Sequence, residues 1–163
     1  MRRKKKEKRE LRPDPIYSSR LVAKLTNYLM LSGKKTTAQK VMEGVFEEIK
    51  KALSADKAGK KTETPVAVLE EALKNVTPLV EIRPRRIGGA TYQVPREVSA
   101  ERGFSLAARW IIGASRAKKG KPMAKKLAEE VLLAAKNEGA AIKKKLDTHR
   151  MAEANRAFAH FAW

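Results

Sequence analysis

The chain has no cysteine, few aromatic residues and no long apolar run. Among its 163 residues there are 2 Trp, 3 Tyr and 4 Phe. The absence of cysteine excludes disulfides and thiolate metal sites, and it fits a reducing compartment. No stretch approaches the roughly 20 apolar residues that a membrane span needs. The basic N-terminus leads into Leu11-Arg-Pro-Asp-Pro15 and not into an apolar segment, so we expect neither a secretory signal nor a membrane partner.

Acidic residues are the second shortage. The chain holds 37 Lys and Arg against 18 Asp and Glu, which gives a formal net charge of +19. Self-repulsion on this scale burdens a free globular protein and indicates a polyanionic partner. Nucleic acid is the first candidate, and it is preferred to the second, an anionic membrane surface.

Motifs for catalysis or cofactor binding are also missing from the sequence. It has no Gly-x-x-x-x-Gly-Lys-Ser/Thr phosphate loop, no Gly-x-Gly-x-x-Gly and no Gly-x-Ser-x-Gly. His149 and His160 have no evident further ligands, which favours hydrogen-bonding roles over a metal site. The adjacent acids read as solvated helix faces and not as an acid/base pair: Glu47-Glu48, Glu70-Glu71 and Glu129-Glu130. We therefore expect no enzyme, no catalytic residue, no metal and no cofactor.

Residues 79–98 are predicted to form a two-stranded antiparallel ribbon. Two runs with β-branched and aromatic residues flank Gly88-Gly89, which can reach the positive φ values of a tight hairpin turn. A two-residue loop leaves Pro84 and Pro95 at positions that donate no ladder hydrogen bond. The resulting register pairs Glu81 with Arg96, Arg83 with Val94, and Arg85 with Tyr92.

The predicted ribbon is strongly cationic. One face carries Arg83, Arg85, Tyr92, Val94 and Arg96, and Arg86 lies on the other face near the tip. A lone two-stranded hairpin is marginal in water, so this face is expected to be completed by an anionic partner. The alternative is an ordinary hairpin with a solvated charged face.

Six helices are predicted around the ribbon, three on each side of it, from apolar residues at helical spacing. We expect Gly33 and Gly139 to stop helices and Thr36 or Thr37, Thr64 and Ser99 to cap them. The inward residues are Leu21, Val22, Leu25, Tyr28 and Leu29; Val41, Val45, Ile49 and Leu53; Val66, Leu69, Leu73 and Val76; Phe104, Ala107, Ala108, Ile111 and Ile112; Leu127, Val131 and Ala134, in a fifth helix from about Met123 to Glu138; and Ile142, Leu146, Met151, Ala154 and Phe158.

The fold class is therefore mainly α: a six-helix bundle with a protruding two-stranded antiparallel β-ribbon and a basic N-terminal arm. We expect residues 1–15 to form the N-terminal extension and residues 16–163 to form a single helical domain that includes the ribbon arm 79–98 and binds nucleic acid, specifically RNA if the family resemblance given below holds. The extension lacks apolar periodicity, so it should order only on a polyanion, unless it is a solubilising tail or a localisation signal. Residues 54–62 are predicted to form a polar surface loop.

An arginine stripe runs along the fourth predicted helix. Arg102, Arg109 and Arg116 recur every seven residues, about 10.5 Å apart along the axis. No acidic residue lies three or four positions from any of them, so ion pairs within the helix cannot explain the stripe. Phosphate binding is favoured over a solvated arginine face.

Several motifs together resemble the bacterial-type small-subunit ribosomal protein seven family, over almost the whole chain. They are Arg85-Arg-Ile-Gly-Gly-Ala-Thr-Tyr-Gln-Val-Pro95 and His149-Arg-Met-Ala-Glu-Ala-Asn-Arg-Ala-Phe-Ala-His-Phe-Ala-Trp163, with Pro13-Asp-Pro15, Gly33-Lys-Lys35 and Arg109-Trp-Ile111 in matching order. The resemblance implies a primary binder of the 3′ major domain of small-subunit rRNA that nucleates head assembly. It also implies a ribbon near the exit-site tRNA and the mRNA path, neighbouring head and platform proteins, and in some members translational autoregulation. The implied location is the small ribosomal subunit, cytoplasmic or organellar.

Carried over by position, the resemblance implies two sets of contact residues. The rRNA-binding set is Arg2, Arg3, Lys4, Lys5, Lys34, Lys35, Arg102, Arg109, Arg116, Lys118 and Lys119. The ribbon set, nearest rRNA and the exit-site tRNA, is Arg83, Arg85, Arg86, Tyr92 and Arg96. The alternative function is an architectural DNA-binding protein that uses the ribbon as a minor-groove arm. Such arms carry an apolar wedge near the tip, whereas the tip here is Ile87-Gly-Gly-Ala90.

Overall fold

Six α-helices, a two-stranded antiparallel ribbon and a terminal 3₁₀ helix make up the computed structural model, which describes residues 10–55 and 64–161. The mainly α fold predicted from the sequence is confirmed. The N-terminal residues 1–9 and most of the predicted loop 54–62 lie outside the described residues. The elements are α1 (Arg20–Leu29), α2 (Lys35–Ala55), α3 (Pro65–Val76), β1 (Val80–Ile87), β2 (Ala90–Glu97), α4 (Ala100–Ala117), α5 (Met123–Ala135), α6 (Ala140–Ala154) and the 3₁₀ helix Arg156–Phe161.

Helix α5 lies at the centre of the bundle, where α2, α3, α4 and α6 all contact it. Its predicted inward residues Leu127, Val131 and Ala134 are fully buried. The predicted stripes of α1 to α4 also face this core, although six of their residues are only partly buried: Leu21, Tyr28, Val41, Leu53, Val66 and Phe104. In α2 the buried stripe is wider than predicted, because Met42 and Phe46 point inward beside Val45 and Ile49.

The helix ends agree only partly with the predicted signals. Thr64 caps α3 as expected, since its hydroxyl accepts the Ala67 N–H at 3.2 Å and Pro65 follows it. Ser99 holds the N-cap position of α4 without a side-chain cap bond. The prediction that Gly33 stops the first helix is wrong, because α1 already ends at Leu29.

Helix α2 begins at Lys35, so Thr36 and Thr37 lie within its first turn and do not cap it. Helix α5 ends at Ala135, short of the predicted Glu138. In the turn after the helix, Asn137 takes a left-handed φ of 61°. The start of α2 and the end of α5 therefore each differ from the prediction by no more than about one helical turn, and the order of the elements is unchanged.

The inward stripe predicted for the last helix is only partly correct. Ile142 is buried as predicted, but Leu146 and Met151 are 55% and 47% exposed, and α6 buries Ala141 and Ala152 beside Ile142. The α-helix also ends at Ala154, so Phe158 lies in the 3₁₀ helix. Because the α-helix ends at Ala154, apolar residues spaced as in one continuous helix through residue 158 do not lie on one face.

The ribbon register predicted from the sequence is confirmed. Gly88 and Gly89 form the loop with φ values of 55° and 89°. Pro84 faces Gln93 and Pro95 faces Ile82, both outside the hydrogen-bonded pairs. The three predicted cross-strand pairs all form: Glu81 with Arg96, Arg83 with Val94, and Arg85 with Tyr92.

Candidate nucleic-acid interface

The base of the ribbon is anchored to the bundle through Glu81. This carboxylate is 7% exposed and accepts hydrogen bonds from Arg83 Nε at 2.6 Å and from Arg102 Nε at 3.0 Å. The anion beside these two arginines is thus supplied by the chain itself, which corrects the expectation of an external one. Neighbouring Val94 is 2% exposed, so this face of the ribbon packs inward at its base.

The two arginines also decide the protonation of Glu81. Burial alone would raise the pKa of this carboxyl group. The hydrogen bonds from Arg102 and Arg83, together with their positive charges, outweigh burial and hold the pKa below its ordinary value. The anionic form is therefore favoured in the folded protein, and the ribbon stays paired with α4.

Two further contacts hold the ribbon against the C-terminal part of the chain. The Tyr92 ring packs on Phe158 and Phe161, with centroid distances of 5.1 and 6.0 Å. The Leu79 N–H donates to His149 Nε2 at 3.2 Å. Burial and the Lys145 charge lower the pKa of His149, which favours the neutral imidazole that this bond needs.

The two histidines have the hydrogen-bonding roles predicted for them. The Nδ1 atom of His160 lies 2.9 Å from the Ala157 carbonyl oxygen. No cluster of His, Asp or Glu among residues 10–55 and 64–161 has the form of a metal site. Tyr92, a member of the predicted ribbon set, uses part of its ring on the chain's own aromatic residues.

The ribbon also carries exposed cations. Arg86 and Arg96 are exposed and make no ion pair with other described residues, and the Arg83 side chain remains 49% exposed. Arg85 is half-buried opposite Tyr92. The ribbon therefore presents a smaller positive surface than its sequence indicates.

Each arginine of the α4 stripe is positioned by a neighbouring element. Arg102 pairs with Glu81, which lies 21 residues earlier in strand β1. Inspection of the positions three and four residues from Arg102 therefore could not identify this partner. The Arg109 guanidinium lies 5.9 Å from the centroid of the Tyr28 ring, and Arg116 Nη2 donates to the Leu29 carbonyl at 3.2 Å. Arg109 and Arg116 are exposed, and a guanidinium has five N–H donors, so both can still bind phosphate.

The basic turn between α4 and α5 contacts a buried carboxylate of α5. Glu130 is fully buried, its Oε1 accepts the Ala141 N–H at 3.0 Å, and Lys118 Nζ lies 2.8 Å from its Oε2. Among the described residues Glu130 Oε2 accepts no hydrogen bond, so its contact with Lys118 is an ion pair. Glu130 contradicts the prediction of a solvated acidic face, because it caps α6 and holds Lys118.

The other two lysines of this turn differ in their surroundings. Lys121 forms an ion pair with Glu129. Lys119 is exposed and has no ionic partner within the described ranges. Of the two predicted contact residues Lys118 and Lys119, only Lys119 thus presents a charge without an ionic partner among the described residues.

Lys34 and Lys35 are both exposed. Lys34 lies in the turn between α1 and α2, and Lys35 is the first residue of α2. Lys34 lines the same cleft as Arg116, which brings one predicted turn residue next to the stripe. Arg2, Arg3, Lys4 and Lys5 lie outside the described residues.

Two cations near the stripe were missed in the sequence. Arg20 and Lys24 line a groove with Tyr28 and Phe104, and Lys24 Nζ lies 4.6 Å from the centroid of the Phe104 ring. Arg20, Lys24 and Tyr28 are spaced four residues apart, which places them on one side of α1. That spacing was the signal available before the structure.

Comparison with known proteins decides the family. A family model described as "Ribosomal protein S7p/S5e" matches residues 1–156. The chain belongs to this family. Three relatives carry the name "Small ribosomal subunit protein uS7". The Thermotoga neapolitana protein is 56% identical over 163 residues, which is all of both chains. The Thermosipho melanesiensis protein is 55% identical over the same span, and the Dictyoglomus thermophilum protein 55% over 155 residues, or 95% of this chain and 94% of its own.

Membership of the S7p/S5e family confirms the resemblance stated from the motifs. It makes the chain a structural ribosomal protein of the small subunit and not an enzyme. The alternative of an architectural DNA-binding protein gains no support. Among the described helices, none is both long and apolar enough to cross a membrane.

Proposed function

We propose that this S7p/S5e-family protein is a primary binder of the 3′ major domain of small-subunit rRNA and nucleates assembly of the head. The observation that carries the proposal is the placement of Arg109 and Arg116. Each guanidinium is oriented by α1, through Tyr28 and the Leu29 carbonyl, and each is exposed. Pre-positioned arginines lose little side-chain entropy when they bind phosphates bidentately.

Binding would be mainly electrostatic. Structured RNA is recognised largely through its shape, its phosphates and its 2′-hydroxyl groups, and each neutralised phosphate releases counterions. Lys34, Lys35 and Lys119 add exposed charges on the turns beside the stripe. The basic residues 1–15 would add further contacts as an extension of the single domain 16–163.

The ribbon would reach the exit-site tRNA and the mRNA path. Its base is fixed by the Glu81–Arg102 pair and by Tyr92, so it would behave as a stiff arm whose exposed charges include Arg86. Head and platform proteins would pack beside it. The same phosphate-binding surface could serve an operon mRNA, which would make the protein an autoregulator.

Head nucleation can be tested by reconstituting the small subunit from purified components with this protein omitted. We expect the head proteins to be missing from the particle and to be restored when the full chain is added back. A head that assembles completely without the protein would contradict the proposal.

The ribbon contact can be tested with Arg86→Ala in the reconstituted ribosome. We expect a faster dissociation of exit-site tRNA, with rRNA affinity within about twofold of wild type because most phosphate contacts lie on the bundle. Glu97→Ala, an exposed change on the same ribbon, serves as the control. Equal tRNA dissociation from both variants would refute the ribbon contact.

A further inference from the structure

A mainly apolar cleft opens between the end of α1, the start of α2 and the α4–α5 region. Its volume is about 510 Å³, which lies within the roughly 300–1,000 Å³ of small-molecule sites. Its apolar walls come from Leu29, Leu31, Ala38, Val41 and Met123. Leu31 is 63% exposed, so its side chain is accessible to a ligand in the cleft.

The polar groups of the cleft all suit an anionic nucleotide. Lys34 and Arg116 are its charged lining residues, and no Asp or Glu of the described ranges lines it. Arg116 is held by its bond to the Leu29 carbonyl, so its remaining N–H groups are fixed at the cleft. Ser32 and Thr37 supply hydroxyl groups that can donate to or accept from the edge of a base.

The backbone at the cleft is constrained as well. Ser32 has a φ of 51° and Gly33 a φ of 73°, and left-handed values are uncommon for a residue other than glycine. The Lys34 N–H donates to the Leu31 carbonyl at 3.0 Å, which closes this turn. The turn thus holds Leu31 and Lys34 together as lining residues, one apolar and one cationic.

We propose that this cleft binds the unstacked base of one RNA nucleotide, while Lys34 and Arg116 bind the adjoining phosphate. The inference rests on the proposed rRNA binding and makes it more specific. Proteins read RNA sequence mainly at unpaired nucleotides whose bases leave the stack. An apolar cleft with cations and hydroxyl groups matches such a nucleotide better than it matches an apolar protein side chain, which needs no cation.

The test compares Thr37→Trp, which fills the cleft, with Thr36→Trp, which adds the same ring in the same helical turn but outside the lining residues. The affinity of each full-length variant for a 3′ major-domain transcript is measured at several salt concentrations. Loss of one base contact should weaken Thr37→Trp by about 5- to 150-fold at every salt concentration. The slope of log K against log salt should stay unchanged, whereas Lys34→Ala should reduce it by about one.

A second pair of variants covers the case in which a tryptophan disturbs the fold. Leu31→Ala removes the exposed cleft wall, and Leu146→Ala removes an exposed leucine of α6. We expect weaker RNA binding for Leu31→Ala alone, with the same melting temperature for both variants.

The outcomes separate this inference from the proposed function. If wild type binds the transcript and Leu31→Ala and Thr37→Trp bind as tightly as their controls, the nucleotide site is refuted and rRNA binding stands. If wild type does not bind the transcript, both fail. If the cleft variants keep their RNA affinity but lose a protein from the reconstituted particle, the cleft is a protein-docking site and the inference is overturned.

Discussion

Replacing Glu81 with alanine should release the ribbon from α4 without changing the helical core. The substitution removes two charge-assisted hydrogen bonds, at 2.6 and 3.0 Å, each worth about 1.5–3 kcal/mol. Water can replace part of this loss, because the side chains of Arg83 and Arg102 are 49% and 38% exposed. We therefore expect unfolding to become easier by about 2–3 kcal/mol, which is a fall of about 4–12 °C in Tm for a chain of this size.

The assay is denaturant and thermal unfolding, followed by circular dichroism, with Glu97→Ala as the matched control. Glu97 is exposed on the same ribbon and forms no ion pair with another described residue, so its replacement should change stability by less than about 0.5 kcal/mol. Equal stability of the two variants would refute the reasoning, because it would mean that the Glu81 pair contributes nothing beyond a surface charge.

The same pair predicts a pH dependence. Because the pKa of Glu81 is lowered in the folded protein, its contribution is fully present above the ordinary carboxyl pKa of 4.5 and is lost as the pH falls toward the folded pKa. The free-energy difference between wild type and Glu81→Gln should therefore shrink below pH 4.5. A difference that grew as the pH fell would contradict the assigned sign.

Three further predictions concern other parts of the fold. Lys118→Ala should destabilise the fold by about 3–5 kcal/mol because it leaves a buried carboxylate unpaired, whereas Lys119→Ala should spare stability and lower the salt slope of RNA binding by about one. Gly139→Ala should cost about 1–3 kcal/mol at its φ of 96°, whereas Gly113→Ala, inside α4 with open space around it, should stabilise by about 0.5–1 kcal/mol. Tyr92→Ala should speed hydrogen exchange in the terminal 3₁₀ helix and leave exchange in the α5 core unchanged.

The ribbon was predictable because local chemistry determines it. Gly88-Gly89 limits the loop to two residues, and the two prolines exclude the alternative register with a longer loop. Both constraints act within twenty residues of sequence. The cross-strand neighbours of each residue could therefore be stated before the structure.

The role of the arginine stripe was less predictable, because its partners come from other elements. A sequence shows which acids are three or four residues away, and for Arg102 there are none. Glu81, its partner, lies 21 residues earlier on a strand. Similarly, the sequence alone presents Glu130 as one member of a solvated acidic pair. Its contacts with the start of α6 and with Lys118 form only in the folded chain.

The last helix shows a limit of hydrophobic periodicity. The predicted stripe continued through residue 158, but the α-helix ends at Ala154 and Leu146 and Met151 face outward. Helix α6 contacts β1 and α4, and its buried residues are Ala141, Ile142, Thr148 and Ala152. Periodicity indicates that a helix exists, but the residues that it buries depend on its neighbours.

The most direct test of the account is the affinity of the purified full chain for a 3′ major-domain transcript without any other ribosomal protein. The exposed cations predict tight binding that falls by about 10³–10⁵ between about 50 and 200 mM salt if 6–10 phosphates are contacted. A 5′-domain transcript of equal length should bind far more weakly. A flat salt titration, or equal affinity for the two transcripts, would contradict the account.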